Sequence, residues 1–354
     1  MHLVLHLGPH KTGTTYIQRI LWRNRETLTG AGWLYPDFGR PGNSAGHHDL
    51  AKRPSGQPNK AAISELRALL GTSDQVILTS EQFSRWSPDA LVTLADGLGA
   101  RQVSIVYYLR DPFDRFDSYW RERIKHAEHS SLPEVFAANF ADPHRSPLLN
   151  PLASLRRYAR LDDRFTTRII CYDPIMQAKQ DICAPLWHGV LGIEDAYDVE
   201  FKRPNRSFSI EISEFLRTLL SVVDRRLGVR DPRALNNLMS RADLPPWRFG
   251  LCDEGREAEA LMTTHMQPKI REQVLNRHCQ FYRHLRQVLG QEFGHAIWGG
   301  VKPAEAFAGG QKSLTYYDSW DLLSEPVIRD RIELLAERVE IAARGAGNGE
   351  HALA

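Results

Sequence analysis

The chain has 354 residues, of which 42% are hydrophobic and 25% are charged, so its composition is that of an ordinary globular protein. Its 45 basic and 43 acidic residues leave a formal net charge of +2, which excludes a strongly basic nucleic-acid-binding protein and gives no reason to expect a nucleic-acid partner. The four cysteines include no C-x-x-C pair, and this favours unpaired thiols in a reducing compartment over a zinc site or a disulfide framework. Because the sequence also lacks an apolar run of about 18 residues and a signal-like start, we expect a cytoplasmic protein without a membrane span.

The predicted elements alternate between strands and helices along the first half of the chain. A short apolar run at residues 3–7 predicts a buried strand, and the glycine-containing loop after it leads into a helix with apolar residues at helical spacing. Further apolar runs at residues 76–78, 103–109 and 168–172 predict three more strands, with helical segments between them. This alternation predicts an α/β fold in which helices cover both faces of a parallel sheet.

The loop after the first predicted strand has the composition of an anion-binding site. It lies where the N–H groups at the start of a helix and the helix dipole converge. Gly13 lets the backbone approach a phosphate oxygen closely, and Lys11 supplies a positive charge. The alternative interpretation is a glycine turn that is capped by threonines. The residues predicted to contact the anion are Gly8, His10, Lys11, Thr12, Gly13, Thr14 and Thr15.

The order of residues in this loop narrows the class of ligand. In the Walker pattern the lysine follows the second glycine, whereas Lys11 precedes Gly13 by two positions. The run His-Lys-Thr-Gly-Thr-Thr resembles the 5′-phosphosulfate loop of sulfotransferases that use 3′-phosphoadenosine 5′-phosphosulfate (PAPS), and most closely a bacterial branch of that family. The resemblance implies the P-loop NTPase-like sulfotransferase fold, PAPS as the donor, 3′,5′-adenosine bisphosphate (PAP) as the product and no metal ion.

A second signature follows the strand predicted at residues 103–109. Pro112 suits the first turn of a helix, so Arg110 is predicted to lie at the carboxyl end of a strand, where ligands of open α/β sheets bind. The pattern R-D-P-x-x-R-x-x-S resembles the 3′-phosphate site of the family, and this resemblance assigns Arg110 and Ser118 to that phosphate. The alternative interpretation is a helix start at which Arg110 or Arg115 forms ion pairs with neighbouring aspartates.

Sulfuryl transfer requires a cation near the leaving group and a base for the acceptor hydroxyl. Location and family resemblance both assign the cationic role to Lys11. Glu81 follows the second predicted strand and resembles the Ser-Glu pair of the bacterial relatives, so it is a candidate base; the alternative is a helix cap or a partner of Arg85. His47 and His48, in the long polar connection at residues 37–59, are rival candidates, since histidine is suited to base chemistry near neutral pH. Loop histidines are also commonly just solvated.

Three further predictions concern residues outside these motifs. His6 is predicted to be a core histidine with satisfied hydrogen bonds. Arg206 belongs to a basic cluster that loosely resembles the late loop with which the family closes over the nucleotide; the alternative is a solvated turn beside a helix cap. Four aromatic residues near the motifs are interpreted as core residues, with stacking on sugar rings as the alternative. They are Trp33, Tyr35, Trp86 and Trp120.

Together the motifs predict an enzyme that transfers a sulfuryl group from PAPS to an acceptor hydroxyl by in-line displacement, with a carbohydrate or glycolipid as the acceptor. The alternatives are a P-loop kinase, which would need the missing Walker lysine, and a non-catalytic nucleotide- or glycan-binding protein of the same fold. We interpret residues 1–205 as the nucleotide-binding core and residues 206–344 as a helical continuation that either covers the acceptor site or extends the helical layer. Residues 345–354 are predicted to be a disordered tail.

Overall fold

A computed structural model of the chain describes most of its residues. The described ranges are 1–42, 44–51, 59–146, 148–199, 208–270, 273–307 and 315–350, with the backbone alone at 270, 273–279, 282 and 346–350. The chain divides into two compact units. Unit 1 comprises residues 1–115, 143–202 and 279–310, and unit 2 comprises residues 116–142, 203–278 and 311–354.

Unit 1 is built on a parallel sheet of four strands in the order β2-β1-β3-β4. The strands are β1 (His2–His6), β2 (Gln75–Thr79), β3 (Gln102–Leu109) and β4 (Phe165–Cys171). Beyond their first residues, β1, β2 and β3 are buried throughout, as expected for parallel strands that are covered on both faces. Each strand that the sequence predicts is present, and the prediction of an α/β fold with a parallel sheet flanked by helices is confirmed.

Helices make up most of the remaining regular structure. In chain order they are α1 (Thr14–Arg23), α2 (Arg25–Gly30), α3 (His48–Ala51), α4 (Lys60–Leu70), α5 (Pro88–Leu98), α6 (Pro112–Lys125), α7 (Leu132–Phe140), α8 (Pro151–Tyr158), α9 (Tyr172–Gln177), α10 (Ile210–Leu227), α11 (Pro232–Arg241), α12 (Asp253–His265), α13 (Gln273–Phe293), α14 (Ser319–Ser324) and α15 (Pro326–Glu350). Among the residues that the structure describes, no helix is both long and apolar enough to cross a membrane.

The helix predicted after the anion loop consists of two helices, because Asn24 interrupts it. The amide of Asn24 donates to the carbonyl of Ile20 at 2.9 Å and to that of Asp198 at 3.1 Å, and its oxygen accepts the Asp198 N–H at 2.8 Å. Side-chain bonds of this kind compete with the helical backbone. The break leaves α1 as a short helix whose apolar face, with Ile17 and Leu21, is fully buried.

Unit 2 is mainly helical, with one short antiparallel pair, β5 (Lys269–Ile270) and β6 (Thr315–Tyr316). The apolar positions of α10 and α15 form buried stripes, which include Phe215 and Leu219 in α10 and Ile332 and Leu335 in α15, as in amphipathic helices. α10 also contains a buried ion pair, in which Arg217 Nε lies 2.5 Å from a carboxylate oxygen of Glu214. α15 continues to Glu350, which is inside the segment predicted to be a disordered tail, and residues 351–354 lie outside the described part of the chain.

Candidate active site

Three predicted site elements follow neighbouring strands of the sheet at one edge. β1, β2 and β3 are parallel, so their carboxyl ends lie together, and the register pairs His6 with Thr79 at the ends of β1 and β2. The loop at residues 8–13 follows β1, Glu81 follows β2, and Arg110 follows β3. Unit 1 therefore brings the loop, Glu81 and Arg110 to one edge of the sheet.

The loop at residues 8–13 has an unusual backbone. Gly8, Lys11 and Gly13 have φ angles of 33°, 71° and 77°, all on the left-handed side of the backbone map. Glycine adopts such angles freely, whereas a lysine is strained there by about 1–3 kcal/mol. Left-handed residues within a turn direct neighbouring N–H groups into a concave nest that favours anions. The backbone of this loop is therefore typical of an anion site.

Glycine is required at both ends of the loop for space as well as for conformation. A Cβ atom on Gly13 would lie 2.1 Å from Cδ1 of Ile182, and one on Gly8 would lie 2.3 Å from Cγ2 of Thr14. Gly13 is also the N-cap residue of α1 and has no side chain with which to cap it. The N–H groups in the first turn of α1 therefore suit an anion.

The three threonines of the loop have different environments. The Thr12 hydroxyl donates to the carbonyl of Pro9 at 2.8 Å, and Thr12 is fully buried. Its hydroxyl thus braces the turn, whereas the sequence predicts that it contacts the donor. Thr14 is buried against Gly8, and Thr15 is exposed at the start of α1.

Two arginines at the start of α6 contact the backbone of the loop. Arg110 Nη1 donates to the Lys11 carbonyl at 2.5 Å, and its guanidinium lies 5.1 Å from the ring centre of Tyr172. Arg115 Nε donates to the carbonyl of His10 at 3.3 Å. The sequence motif assigns Arg110 to the 3′-phosphate. It includes Arg115 but assigns no ligand to it. The contact between Arg115 and the loop depends on residues far apart in the chain.

Asp111 fixes the start of α6. Its carboxylate accepts two N–H groups of the first turn, at 2.8 and 3.1 Å, as an N-cap aspartate does. Its own N–H donates to Asp173 at 2.6 Å, and burial raises the pKa of Asp173 to about 7. Ser118 lies two turns into α6, in the part of the chain that belongs to unit 2, and its contact with a phosphate stays a prediction.

Glu81 lies at the centre of a polar cluster. Its Oε2 accepts a hydrogen bond from Gln18 Nε2 at 3.2 Å, and His48 Nδ1 lies 3.7 Å from the same carboxylate. His10 Nδ1 lies 3.9 Å from Oε1, and burial is the main cause that lowers the pKa of His10. The structure therefore brings two rival candidate bases, Glu81 and His48, into one cluster next to the anion loop.

The cluster includes Gln18, which sequence reasoning missed. Gln18 is fully buried on α1, and a Cβ atom on Gly46 would lie 2.7 Å from its Cδ. A polar residue on the buried face of an amphipathic helix is a signal that could have found it. Glu81 is not the cap of the helical turn that follows β2. Ser80 is, because its hydroxyl accepts the Gln82 N–H at 3.2 Å. Ser80 also contacts His48, with 2.9 Å between its Oγ and Nδ1.

His47 has a structural role, so the prediction that it is a rival candidate base is wrong. It is fully buried; the Thr79 N–H donates to Nδ1 at 3.0 Å, and Nε2 lies 3.1 Å from the carbonyl of Pro36. These bonds fix the neutral tautomer with the proton on Nε2, and burial lowers the pKa to about 4. His47 thus ties the connection to the end of β2. Tyr35 reinforces this tie with a hydrogen bond of 2.6 Å to the carbonyl of Ala45.

His6 is a core residue, but the prediction that its hydrogen bonds are satisfied is wrong. It is only 1% exposed, and neither ring nitrogen has a hydrogen-bond partner among the described residues. Burial lowers its pKa to about 4, so the ring is neutral near pH 7. Its ring packs edge-on against Tyr108, and a Cβ atom on Gly8 would lie 3.2 Å from Nε2. His6 therefore lies directly beneath the loop.

The remaining predicted residues are placed as follows. All four aromatic residues are buried, which confirms their interpretation as core residues: Trp33, Tyr35, Trp86 and Trp120. Arg206 and its basic cluster lie outside the described residues. In the described part of the chain, no group of three or more His, Cys, Asp or Glu side chains is arranged to hold a metal ion.

Comparison with solved structures shows a distant likeness to a sulfotransferase, whereas comparisons of sequence show none. No protein-family model matches the sequence, and no curated protein sequence matches it. Among solved structures, the chain is similar to a crystal structure of a sulfotransferase from Alicyclobacillus acidocaldarius. The two share 16% sequence identity and a TM-score of 0.36, over 56% of this chain and 85% of that one. At this distance no residue of that protein assigns a role to a residue of this chain.

Proposed function

We propose that the chain is a sulfotransferase that transfers a sulfuryl group from PAPS to a hydroxyl group of an acceptor. The observation that carries this proposal is the loop at residues 8–13, in which left-handed Lys11 and Gly13 lead into the uncapped start of α1. Arg110 lies beside it, 2.5 Å from the Lys11 carbonyl. The loop alone supports a site for some anion. Because the loop and the Arg-Asp-Pro motif both resemble sulfotransferase sites, we propose that the anion is a nucleotide donor with phosphates at both ends.

Two observations support the proposal that the loop holds the 5′ end of the donor. Gly8 and Gly13 have left-handed φ angles of 33° and 77°, and such residues turn neighbouring N–H groups towards an anion. Arg110 Nε is buried and has no hydrogen-bond partner among the described residues, which leaves donor capacity next to the loop. Arg110 and Ser118 are proposed ligands of the 3′-phosphate, and Arg206 of the nucleotide.

The proposed chemistry divides between two side chains. The donor supplies the sulfuryl group; the bond between its sulfur and the 5′-phosphate oxygen breaks, a bond to the acceptor oxygen forms, and PAP leaves. Lys11 stabilises the negative charge that develops on the leaving phosphate. Glu81 accepts the proton of the acceptor hydroxyl, because its carboxylate lies at the same sheet edge and Gln18 holds it in place at 3.2 Å.

His48 is the second candidate base. Its Nδ1 lies 2.9 Å from the Ser80 hydroxyl and 3.7 Å from the carboxylate of Glu81. A histidine in this place also serves to relay the proton away from Glu81. The acceptor is proposed to be a carbohydrate or a glycolipid. Trp33, Tyr35, Trp86 and Trp120 are buried, so these four side chains are not offered for stacking on its sugar rings.

Isothermal titration calorimetry tests the donor. We expect PAP to bind more tightly than ATP, with or without magnesium, because the two motifs accommodate phosphates at opposite ends of one nucleoside. Tighter binding of ATP would contradict the sulfotransferase proposal and favour a phosphotransferase. Binding of PAP without any transfer from radiolabelled PAPS, across a panel of glycans, glycolipids and phenols, would indicate a non-catalytic binding protein. The same panel identifies the acceptor.

A further inference from the structure

Two guanidinium groups hold consecutive carbonyl groups of the anion loop. Arg115 Nε donates to the carbonyl of His10 at 3.3 Å, and Arg110 Nη1 donates to that of Lys11 at 2.5 Å. Arg115 is 8% exposed, and its Nη1 also donates to the carbonyl of Leu148 at 3.4 Å. One buried arginine thus fastens the loop to the segment before α8.

These contacts determine where the loop directs its N–H groups. In a planar trans peptide the C=O and N–H bonds point in opposite directions. Because the His10 carbonyl points towards Arg115, the Lys11 N–H of the same peptide points away from Arg115. In the same way, the contact of the Lys11 carbonyl with Arg110 points the Thr12 N–H away from Arg110. Two successive N–H groups are thereby oriented before any ligand arrives.

The strain in the loop makes such a restraint necessary. Lys11 has a φ of 71°, a conformation that a lysine leaves readily unless its surroundings hold it. An arginine suits this task because its planar fork donates in fixed directions and stays charged at all relevant pH values. Without Arg115, the peptide between His10 and Lys11 is free to rotate towards an ordinary turn.

We propose that Arg115 is a positioning residue that preorganises the loop at residues 8–13 for the 5′-phosphosulfate end of the donor. It acts through the His10 carbonyl and does not itself contact the donor. This inference rests on the proposed function, since it requires that the loop bind that end of PAPS. Its signature is selective: losing Arg115 weakens recognition of a 5′-phosphate and leaves the rest of the nucleotide unaffected.

The test compares two ligands that differ only in the 5′-phosphate, namely adenosine 3′,5′-bisphosphate and adenosine 3′-monophosphate. By calorimetry, Arg115→Met is expected to bind the bisphosphate about tenfold more weakly than wild type, the effect of one hydrogen bond from a charged donor. Its affinity for the 3′-monophosphate should be unchanged. Equal losses for both ligands would show a general structural role, and no loss for either would also overturn the inference.

Arg115→Lys separates position from charge and serves if the methionine variant does not fold. A lysine keeps the charge but lacks the fork, so we expect the bisphosphate to bind about fivefold more weakly than to wild type. Full recovery with lysine would mean that charge alone matters, against the inference. Arg164→Met is the matched control, because Arg164 also donates to a backbone carbonyl, that of Ala100 at 3.4 Å, but at the opposite sheet edge. It should bind both ligands like wild type.

Failure of this inference is distinguishable from failure of the proposed function. If wild type binds neither adenosine ligand, or binds both equally, the donor site itself is wrong and the role of Arg115 fails with it. If wild type prefers the bisphosphate and the Arg115 variants keep the same preference, only the positioning role is overturned.

Discussion

The loop at residues 8–13 and residues 44–51 of the long connection both lie at the carboxyl edge of the sheet in unit 1, but they are held in different ways. The connection is tied to β2 by its own bonds, with both nitrogens of His47 and the hydroxyl of Tyr35 engaged. The loop has left-handed backbone angles, including that of Lys11, and leads into a helix start without a side-chain cap.

The buried histidines show the same contrast. His47 in the connection bonds two backbone groups, whereas neither nitrogen of His6, beneath the loop, has a partner among the described residues. The connection is therefore fully hydrogen-bonded at His47, whereas the loop has a strained backbone above a buried histidine that has no partner among the described residues. A loop with a strained backbone and an unpartnered histidine beneath it, next to a hydrogen-bonded connection, is typical of a binding site.

The largest expected effect is on the loop side. Lys11→Ala should lower the rate of sulfuryl transfer by about 10³-fold, because it removes the charge that stabilises the leaving phosphate. The measurement is turnover of radiolabelled PAPS with the acceptor that the screen identifies. Lys60→Ala, at the start of α4, is a control lysine that should keep wild-type turnover. Unchanged turnover in the Lys11 variant would show that the loop takes no part in the reaction.

Glu81 lies between the two segments, and its substitution tells whether the base is Glu81 itself or lies in the connection. Glu81→Gln should lower turnover by about 10²-fold, since the amide cannot accept the acceptor proton. The exposed Glu65→Gln in α4 serves as the matched control. Should Glu81→Gln retain the wild-type rate while His48→Gln loses it, the base lies in the connection.

Replacing each buried histidine by phenylalanine should affect stability in opposite ways. His47→Phe leaves the Thr79 N–H and the Pro36 carbonyl unsatisfied, so the free energy of unfolding should fall by about 2–4 kcal/mol. His6→Phe removes a buried imidazole without partners, so stability should be unchanged or higher. Urea unfolding at pH 7.5 measures both. An equal loss in the two variants would mean that His6 has partners in solution.

Acid should destabilise the fold through the same two histidines. The pKa of each is about 4 in the folded chain, against 6.5 for an ordinary histidine, so between these limits the unfolded chain binds protons that the folded chain does not. The contribution of each histidine to the free energy of unfolding is complete above pH 6.5. It falls by about 1.4 kcal/mol per pH unit as the pH decreases to about 4. Urea unfolding across this window should show a smaller slope in His47→Phe. The exposed His126→Gln should leave the slope unchanged.

The smallest effect concerns strain in the loop. Lys11→Gly should raise the free energy of unfolding by about 1 kcal/mol, because glycine adopts the left-handed conformation without strain. The same variant should be as inactive as Lys11→Ala. Thermal unfolding measures the gain, and a loss of stability would show that the lysine side chain stabilises the loop more than its backbone angle destabilises it.

How much the sequence predicts depends on the range of the interaction. The strands, and the place of the loop between β1 and α1, are predicted correctly because apolar runs and glycine turns are local patterns. The contacts of Gln18 with Glu81 and of Arg115 with His10 join residues that are far apart in the chain, so no spacing indicates them. The connection shows this limit most clearly. His47 and His48 are neighbours with the same chemistry, yet only the fold separates the structural histidine from the candidate base.

Gly46 has a consequence for how chains of this kind diverge. The space that its side chain would fill is occupied by the amide of Gln18, with only 2.7 Å between the two positions. A residue larger than glycine at 46 displaces the amide of Gln18 or favours a shorter residue at 18, and in either case the contact with the carboxylate of Glu81 is lost. Among homologues these two positions should therefore covary, and pairs that have changed together should mark branches in which the carboxylate is held by other means or has been replaced.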